Sequence, residues 1–290
     1  MPSVSQAVFD RRAVRLHRDR AAAEVGSVGE VLREAAGRLL DRLDDTTRRF
    51  SRALDVGGRG VVAPLLRARG IATVACDLSA RMAARSGGPC VAADEEWLPF
   101  GPNSFDLVVA SLSLHWVNDL PGALIQLRRA MQPDGLLLAS LPALGTLGEL
   151  RTALAEAEAA IAGGASPRVS PFPDLRDCAS LLSRAGFALP VADADELVLL
   201  YADPTALLGE LRAAGESNAV RLRDRRIPAR DLFPAALAAL PRSDGRVRAT
   251  LRIAMMTGWA PSPSQPRPLP RGSGATPLSL APGDDRDTPP

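Results

Sequence analysis

Residues 54–64 read Leu-Asp-Val-Gly-Gly-Arg-Gly-Val-Val-Ala-Pro (LDVGGRGVVAP). An apolar lead-in ends on the acid Asp55, and three glycines, Gly57, Gly58 and Gly60, follow within four positions. This is the pattern of a buried strand running into a loop whose missing Cβ atoms let the backbone approach a ligand. The Gly-x-Gly-x-Gly phase is broken, because Arg59 sits where the second glycine should stand, and the run is too short for the Gly-x-Gly-x-x-Gly spacing that seats a pyrophosphate on a helix N-terminus. Two registers are open. With no gap, Arg59 and Val61 replace two glycines and crowd the ligand. With one residue deleted, Gly58 and Gly60 keep their roles in a tighter turn.

Outward from this loop the rhythm is βαβ. RALDV (52–56) is a short strand, and Pro64 is tolerated only in the first turn of the helix over 61–69. IATVACD (71–77) is a second strand, SARMAARSG (79–87) a short helix with Ser79 as N-cap, and PCVAAD (89–94) a third strand. FDLVVASLSL (105–114) is continuous and apolar, as a parallel strand covered on both faces should be. Leu120, Leu124, Leu127 and Met131 share one helical face, which QPDG (132–135) ends, and GLLLASLP (135–142) is the fifth strand. Helices are expected over 147–161 and 174–185, the second stopped by Gly186. DELVLLY (195–201) and ATLRIAMMTGW (249–259) complete seven strands, separated by a helical insertion near 204–240. Ahead of the sheet, Val31, Ala35, Leu39 and Leu43 mark an amphipathic helix within 28–50. The expected organisation is a helical lead (1–50), an α/β domain (51–260) with a cofactor half (51–142) and a substrate-side half (143–260), and a Pro-rich disordered tail (261–290).

Composition narrows the chemistry. The 290 residues carry 35 basic against 33 acidic groups, which gives no basic surface for nucleic acid. Every basic residue is Arg, so a Schiff-base lysine, a Walker-type lysine and a lysine general base are excluded. Three scattered cysteines suggest neither a disulfide framework nor a zinc site, and no apolar run reaches the ~20 residues of a membrane span. The Arg-rich N-terminus is interrupted by Asp10, Asp19 and Glu24, unlike a transit peptide.

In a doubly wound sheet the ligand sits beyond the carboxyl ends of the central strands. Acids stand at three such ends: Asp55, Asp77 and Asp94. An acid ending the second strand can accept from both ribose hydroxyls, and one ending the third can accept from an adenine amine. A short glycine loop preceded by an acid suits a cofactor with an amino-acid end and no phosphate, namely S-adenosyl-L-methionine. The expected cofactor set is Asp55, Gly57, Gly58, Gly60, Asp77, Leu78, Asp94, Glu95 and Ser111.

With these residues in view, LDVGGRG, ACDLS, ADEEWLPF, SFDLVVASLSLHWVNDL and QPDGLLLAS together resemble a class I S-adenosylmethionine-dependent methyltransferase. More narrowly, the chain resembles the fifth assembly factor of respiratory complex I and its bacterial relatives. FDRRAVRLHRDRAA, SPRVSPFPDL, LLSRAGF, GESNA, MMTGW and SQPRPLPRGS extend the similarity over nearly the whole chain. The resemblance implies a Rossmann-like seven-stranded methyltransferase fold with an N-terminal helical lead and helical insertions. It also places Arg59–Gly60 in phase with the family's loop, which favours the shortened register. The eukaryotic member is regarded as hydroxylating an arginine of a complex I subunit, so the implied partner is a protein substrate of that kind. Because the lead begins at Phe9, a bacterial, cytoplasmic form without presequence is expected. A neighbouring group, which makes a malonyl methyl ester, shares the cofactor half and differs downstream. The competing functions are therefore an O- or C-methyltransferase of a small acid or acyl carrier, and a non-catalytic assembly chaperone.

His115, at the end of the fourth strand, is the candidate catalytic base, against a histidine that only caps the strand. His17 with Asp19 mimics an iron-ligand spacing, but its helical surroundings argue against it, and no metal is expected. Glu216, Ser217 and Asn218 either line a substrate mouth or cap a helix. The arginines over 221–230 suit a solvated face, an acidic partner or membrane headgroups.

Overall fold

The computed structural model describes residues 7–266 of the chain. Among them, eight strands form one sheet: β1 (Arg52–Val56), β2 (Ala72–Asp77), β3 (Cys90–Ala92), β4 (Phe105–Ser111), β5 (Met131–Pro142), β6 (Ala188–Tyr201), β7 (Arg242–Ser243) and β8 (Arg246–Trp259). Their order is β3-β2-β1-β4-β5-β8-β6, with β7 a two-residue hairpin partner of β8. β1 to β5 are parallel, and β8 runs antiparallel to both β5 and β6. The strand order reverses at β1, which pairs with β2 on one side and β4 on the other. That reversal opens a crevice at the carboxyl ends.

Nine helices flank the sheet among the described residues: α1 (Arg11–Ala21), α2 (Gly29–Leu40), α3 (Val62–Ala68), α4 (Ala80–Ala84), α5 (Leu120–Ala130), α6 (Gly148–Ala162), α7 (Leu175–Arg184), α8 (Pro204–Ala213) and α9 (Leu232–Ala238). Every residue of β4 is buried, and its alternation divides the core. Leu107 and Val109 join Leu39 of α2 and Leu66 of α3 on one face. Val108 and Ala110 join Leu124 and Leu127 of α5 and Leu182 of α7 on the other. Each such leucine contributes roughly 1.5–3 kcal/mol by leaving water, which makes the layers, rather than helix propensity, the source of stability. A third cluster packs α6, α8 and α9 over Tyr201, Val247 and Ala249.

The seven-stranded path matches the sequence expectation, and β7 is an addition to it. The segment near 204–240 is helical only at its ends. Gly215, at φ +80°, closes α8, and the polar residues that follow run irregularly to α9. The lead is two helices: α1, and α2, whose last turn tightens into a 3-10 turn at Asp41–Leu43. Asp44, Asp45, Thr46 and Thr47, all poor helix formers, follow that turn. From residue 267 onward the expected disordered tail lies outside the described residues. At residues 261–266, which are described, Gln265 Nε2 donates to Asp134 Oδ1 at 3.0 Å. No helix among the described residues is long and apolar enough to cross a membrane.

Candidate cofactor and active site

The glycine loop turns on backbone geometry. Gly57 (φ +66°), Arg59 (φ +50°) and Gly60 (φ +80°) all take the left-handed region, which favours glycine. At Gly58 a Cβ would fall 2.2 Å from Asp55 Oδ1, so that position excludes any side chain. Asp55 lies beneath the loop, and its Oδ2 accepts from Ala63 N at 3.0 Å, in the first turn of α3. Burial pushes the Asp55 carboxyl up to about 7, with nearby Asp77 adding to the rise and the Ala63 and Gly58 amides opposing it. Asp55 therefore organises the loop from within the fold.

Asp77 and Glu95 are buried at the same edge. Both, together with Asp94, are held by arginines of α1. Arg18 Nη1 donates to Asp77 Oδ2 at 2.7 Å, and Asp77 Oδ1 accepts from Ser79 N at 2.8 Å. Arg11 Nη2 donates to Asp94 Oδ1 at 2.6 Å and to Glu95 Oε2. Ser79 caps α4 as expected, its Oγ accepting from Met82 N. Leu78 packs instead with Phe9, Ala13, Val14 and Trp116 under α1. Ser111 is buried at the end of β4, in register with Ser140 of β5. His17 and Asp19 do not converge on a site, since Asp19 Oδ1 accepts from Ser79 Oγ at 2.5 Å. Among the described residues, no group of three or more His, Cys, Asp or Glu is placed to hold a metal.

α1 reaches this edge because Asp10 caps it, accepting from Ala13 N at 3.1 Å. Its hold is completed by Asp10 N on Ala219 O at 2.8 Å and Phe9 N on Asn118 Oδ1 at 2.8 Å. Arg11 and Arg18 are seven apart, two helical turns, and so face the acids together. That spacing is visible in the sequence, within the basic run around His17.

Beside the crevice lies a cavity of about 350 Å³ whose walls include Leu112, Leu150, Phe172, Tyr201 and Leu211. His115, Trp116, Arg59 and Glu216 stand at one part of it. Glu216 organises them: Oε2 meets His115 Nε2 and Trp116 Nε1, each at 2.7 Å, and Oε1 accepts from Arg59 Nη2. Arg59 Nη2 also donates to Leu112 O at 2.9 Å. Burial alone would raise the Glu216 carboxyl, but His115 and Arg59 outweigh it and hold the group far below the carboxylate range. An ionised Oε2 only accepts, so the His115 Nε2 that faces it carries a proton. Nδ1 has no hydrogen-bond partner among the described residues.

The crevice has the acceptors of an adenosyl site, and the Arg18 guanidinium occupies the space beside Asp77. Asp55 Oδ1 and Ser113 Oγ are buried there without partners. A Cβ on Gly57 would fall 2.6 Å from Ser113 Cβ and 2.9 Å from Arg18 Nη1, so only glycine lets this loop lie so close. The residues fit such a cofactor once the arginines on the acids exchange partners.

A family model described as a methyltransferase domain matches residues 28–190. The arginine-hydroxylase NDUFAF5, mitochondrial, of Danio rerio is 39% identical, with 92% of this chain and 87% of the relative covered. Its Homo sapiens counterpart is 40% identical over 92% and 81%. A malonyl-[acyl-carrier protein] O-methyltransferase of Halorhodospira halophila is 35% identical over 89% and 90%. Among solved structures, the YcgJ protein from Bacillus subtilis shares the fold, with a TM-score of 0.54 at 14% identity over 77% of this chain and 98% of that one. Sheet order, the crevice at the strand reversal and these matches agree, and the chain belongs to the class I S-adenosylmethionine-dependent methyltransferase family.

Proposed function

We propose that this enzyme modifies an arginine side chain of a protein linked to respiratory complex I assembly, in a bacterial cytoplasm. One observation carries the reading: Glu216, ionised and anchored by His115 and Trp116, already holds a guanidinium, that of Arg59, at the cavity beside the crevice. A site that binds one guanidinium through a buried carboxylate has the chemistry to recognise another. The relatives named as arginine-hydroxylases supply the kind of substrate.

In this reading Asp77 accepts from the ribose, Asp94 and Glu95 face the adenine edge, and Gly57, Gly58 and Gly60 form the loop against the amino-acid end. The bound cofactor supplies an electrophilic methyl on a sulfonium. Glu216 aligns the incoming guanidinium, the aromatic walls of Trp116 and Phe172 exclude water, and His115 Nδ1 takes up a proton from it.

A second reading has its own support. The cavity walls are chiefly apolar, which suits a carboxylate carried on an acyl chain, as in the malonyl-[acyl-carrier protein] methyltransferases. Mass spectrometry of complex I subunits from a strain lacking this gene separates the two. An arginine lighter by one oxygen supports arginine hydroxylation. One lighter by a methylene supports arginine methylation, and unchanged arginines contradict the first reading.

A further inference from the structure

The cofactor set inferred from the sequence contains no cationic side chain for the carboxylate of S-adenosylmethionine. We propose that Arg18 receives this carboxylate, releasing Asp77 to the ribose as it does so. The proposal rests on the reading of Asp77 as the ribose acceptor.

Arg18 is 1% exposed, and its guanidinium lies in the crevice itself. Nη1 bonds Asp77 Oδ2 at 2.7 Å and stands 3.9 Å from Glu95 Oε1, while Nη2 donates to Ser113 O at 3.3 Å. Nε has no partner among the described residues. The guanidinium thus spans from the glycine loop to the end of β4, across the acid that the ribose needs. Both Asp77 oxygens are engaged, Oδ1 by the Ser79 amide and Oδ2 by Arg18. Ribose hydroxyls bonding to Asp77 in this space must move the guanidinium.

A displaced Arg18 cannot be left without an anion, because a buried unpaired charge is strongly unfavourable. Of the acids nearby, Asp55 has a free Oδ1, but burial raises its carboxyl toward the neutral form, and it accepts from Ala63 N beneath the loop. Glu95 is held by Arg11, Asp19 by Ser79 Oγ, and Glu216 by Arg59, His115 and Trp116. Ribose and adenine are neutral, so the one anion that the ligand brings is its α-carboxylate. A guanidinium beside Gly57, with Nε uncommitted, offers the planar fork that binds a carboxylate in bidentate fashion. A Cβ on Gly215 would lie 3.4 Å from Arg18 Cα, so the turn after α8 lies close against α1 at this residue. Arg18 is thereby a cofactor-positioning residue that selects for the amino-acid end.

The test compares S-adenosylhomocysteine with 5′-methylthioadenosine, which has the same nucleoside thioether but no amino acid. Calorimetric affinities are measured for the full chain and for Arg18→Gln and Arg18→Lys. Arg18→Gln is expected to lose about tenfold or more on S-adenosylhomocysteine. Its affinity for 5′-methylthioadenosine should be unchanged or better, because the competitor for Asp77 is gone. Arg18→Lys, which keeps charge without the fork, should fall between. Hydrogen exchange over 11–21 in the unmodified protein gives a reading that needs no variant. S-adenosylhomocysteine should slow exchange there, and 5′-methylthioadenosine should not. Equal effects of the two ligands on α1, or an unchanged affinity ratio in Arg18→Gln, would overturn the proposal. If the unmodified protein binds neither ligand, the cofactor reading of the crevice fails instead.

Discussion

At the scale of single residues, Arg59 is where the broken glycine pattern meets the cavity. It occupies a left-handed position where a side chain costs on the order of 1 kcal/mol, and its guanidinium is buried against Glu216. The guanidinium serves the cavity, so Arg59→Gly should change cofactor affinity by less than about tenfold while lowering turnover. A much larger gain in cofactor affinity in an equilibrium titration would show that Arg59 obstructs the loop. Glu216→Gln retains a hydrogen bond to Trp116 but removes the charge that fixes His115. Turnover should fall roughly 10²-fold or more with cofactor binding intact, read as kcat and Kd measured separately.

Asp55 makes a prediction about pH. Its folded carboxyl titrates near 7, against an ordinary value of 3.8. Between about pH 4 and 7 the folded chain keeps this proton and the unfolded chain has released it. Stability therefore falls as pH rises across that window, by on the order of 4 kcal/mol. Asp55→Asn should flatten the decline in denaturant midpoint over the same range. Glu216, lowered by its partners, contributes in the opposite sense, and its stabilisation is lost only as pH falls below about 4.5. The two effects occupy separate windows, so a decline that persists unchanged in Asp55→Asn would contradict the assignment.

At the scale of elements, α1 is a lid held by charge and by its cap. Asp10 accepts from Ala13 N and from Arg223 and Arg225, so Asp10→Ala should cost about 1–2 kcal/mol in urea denaturation and speed hydrogen exchange over 11–21. A variant with unaltered exchange there would show that the other contacts suffice. The elements of the sheet were legible because β4 is an unbroken apolar run and the acids closing β1 and β2 stand at the expected spacing. The roles of α1 were not. Helical period shows which residues share a face, but not that the face would meet acids 59 to 84 residues away. Glu216, expected at a substrate mouth or a helix cap, reaches His115 and Trp116 from the irregular segment after α8, a meeting that sequence spacing does not show. No local pattern marks a residue whose function depends on where a loop returns. The missed breaks near 204–240 have a plainer cause: leucine and alanine spacing there resembles helix, while Gly215 imposes a turn that periodicity does not register.

At the scale of the whole molecule, the two faces of β4 divide the core, and the strand reversal beside β1 opens the crevice between them. Lead, loop and C-terminal third all contribute side chains to one edge, so the site depends on the complete fold. The competing functions differ in what enters the cavity, and both require S-adenosylmethionine in the crevice with Asp77 on its ribose. That shared requirement is most directly measured by titrating the full chain and Asp77→Asn with S-adenosylmethionine in a calorimeter. The account predicts one site per chain in the unmodified protein and an affinity at least about tenfold weaker in the folded variant. No heat at millimolar ligand, or equal affinity in the two proteins, would contradict it.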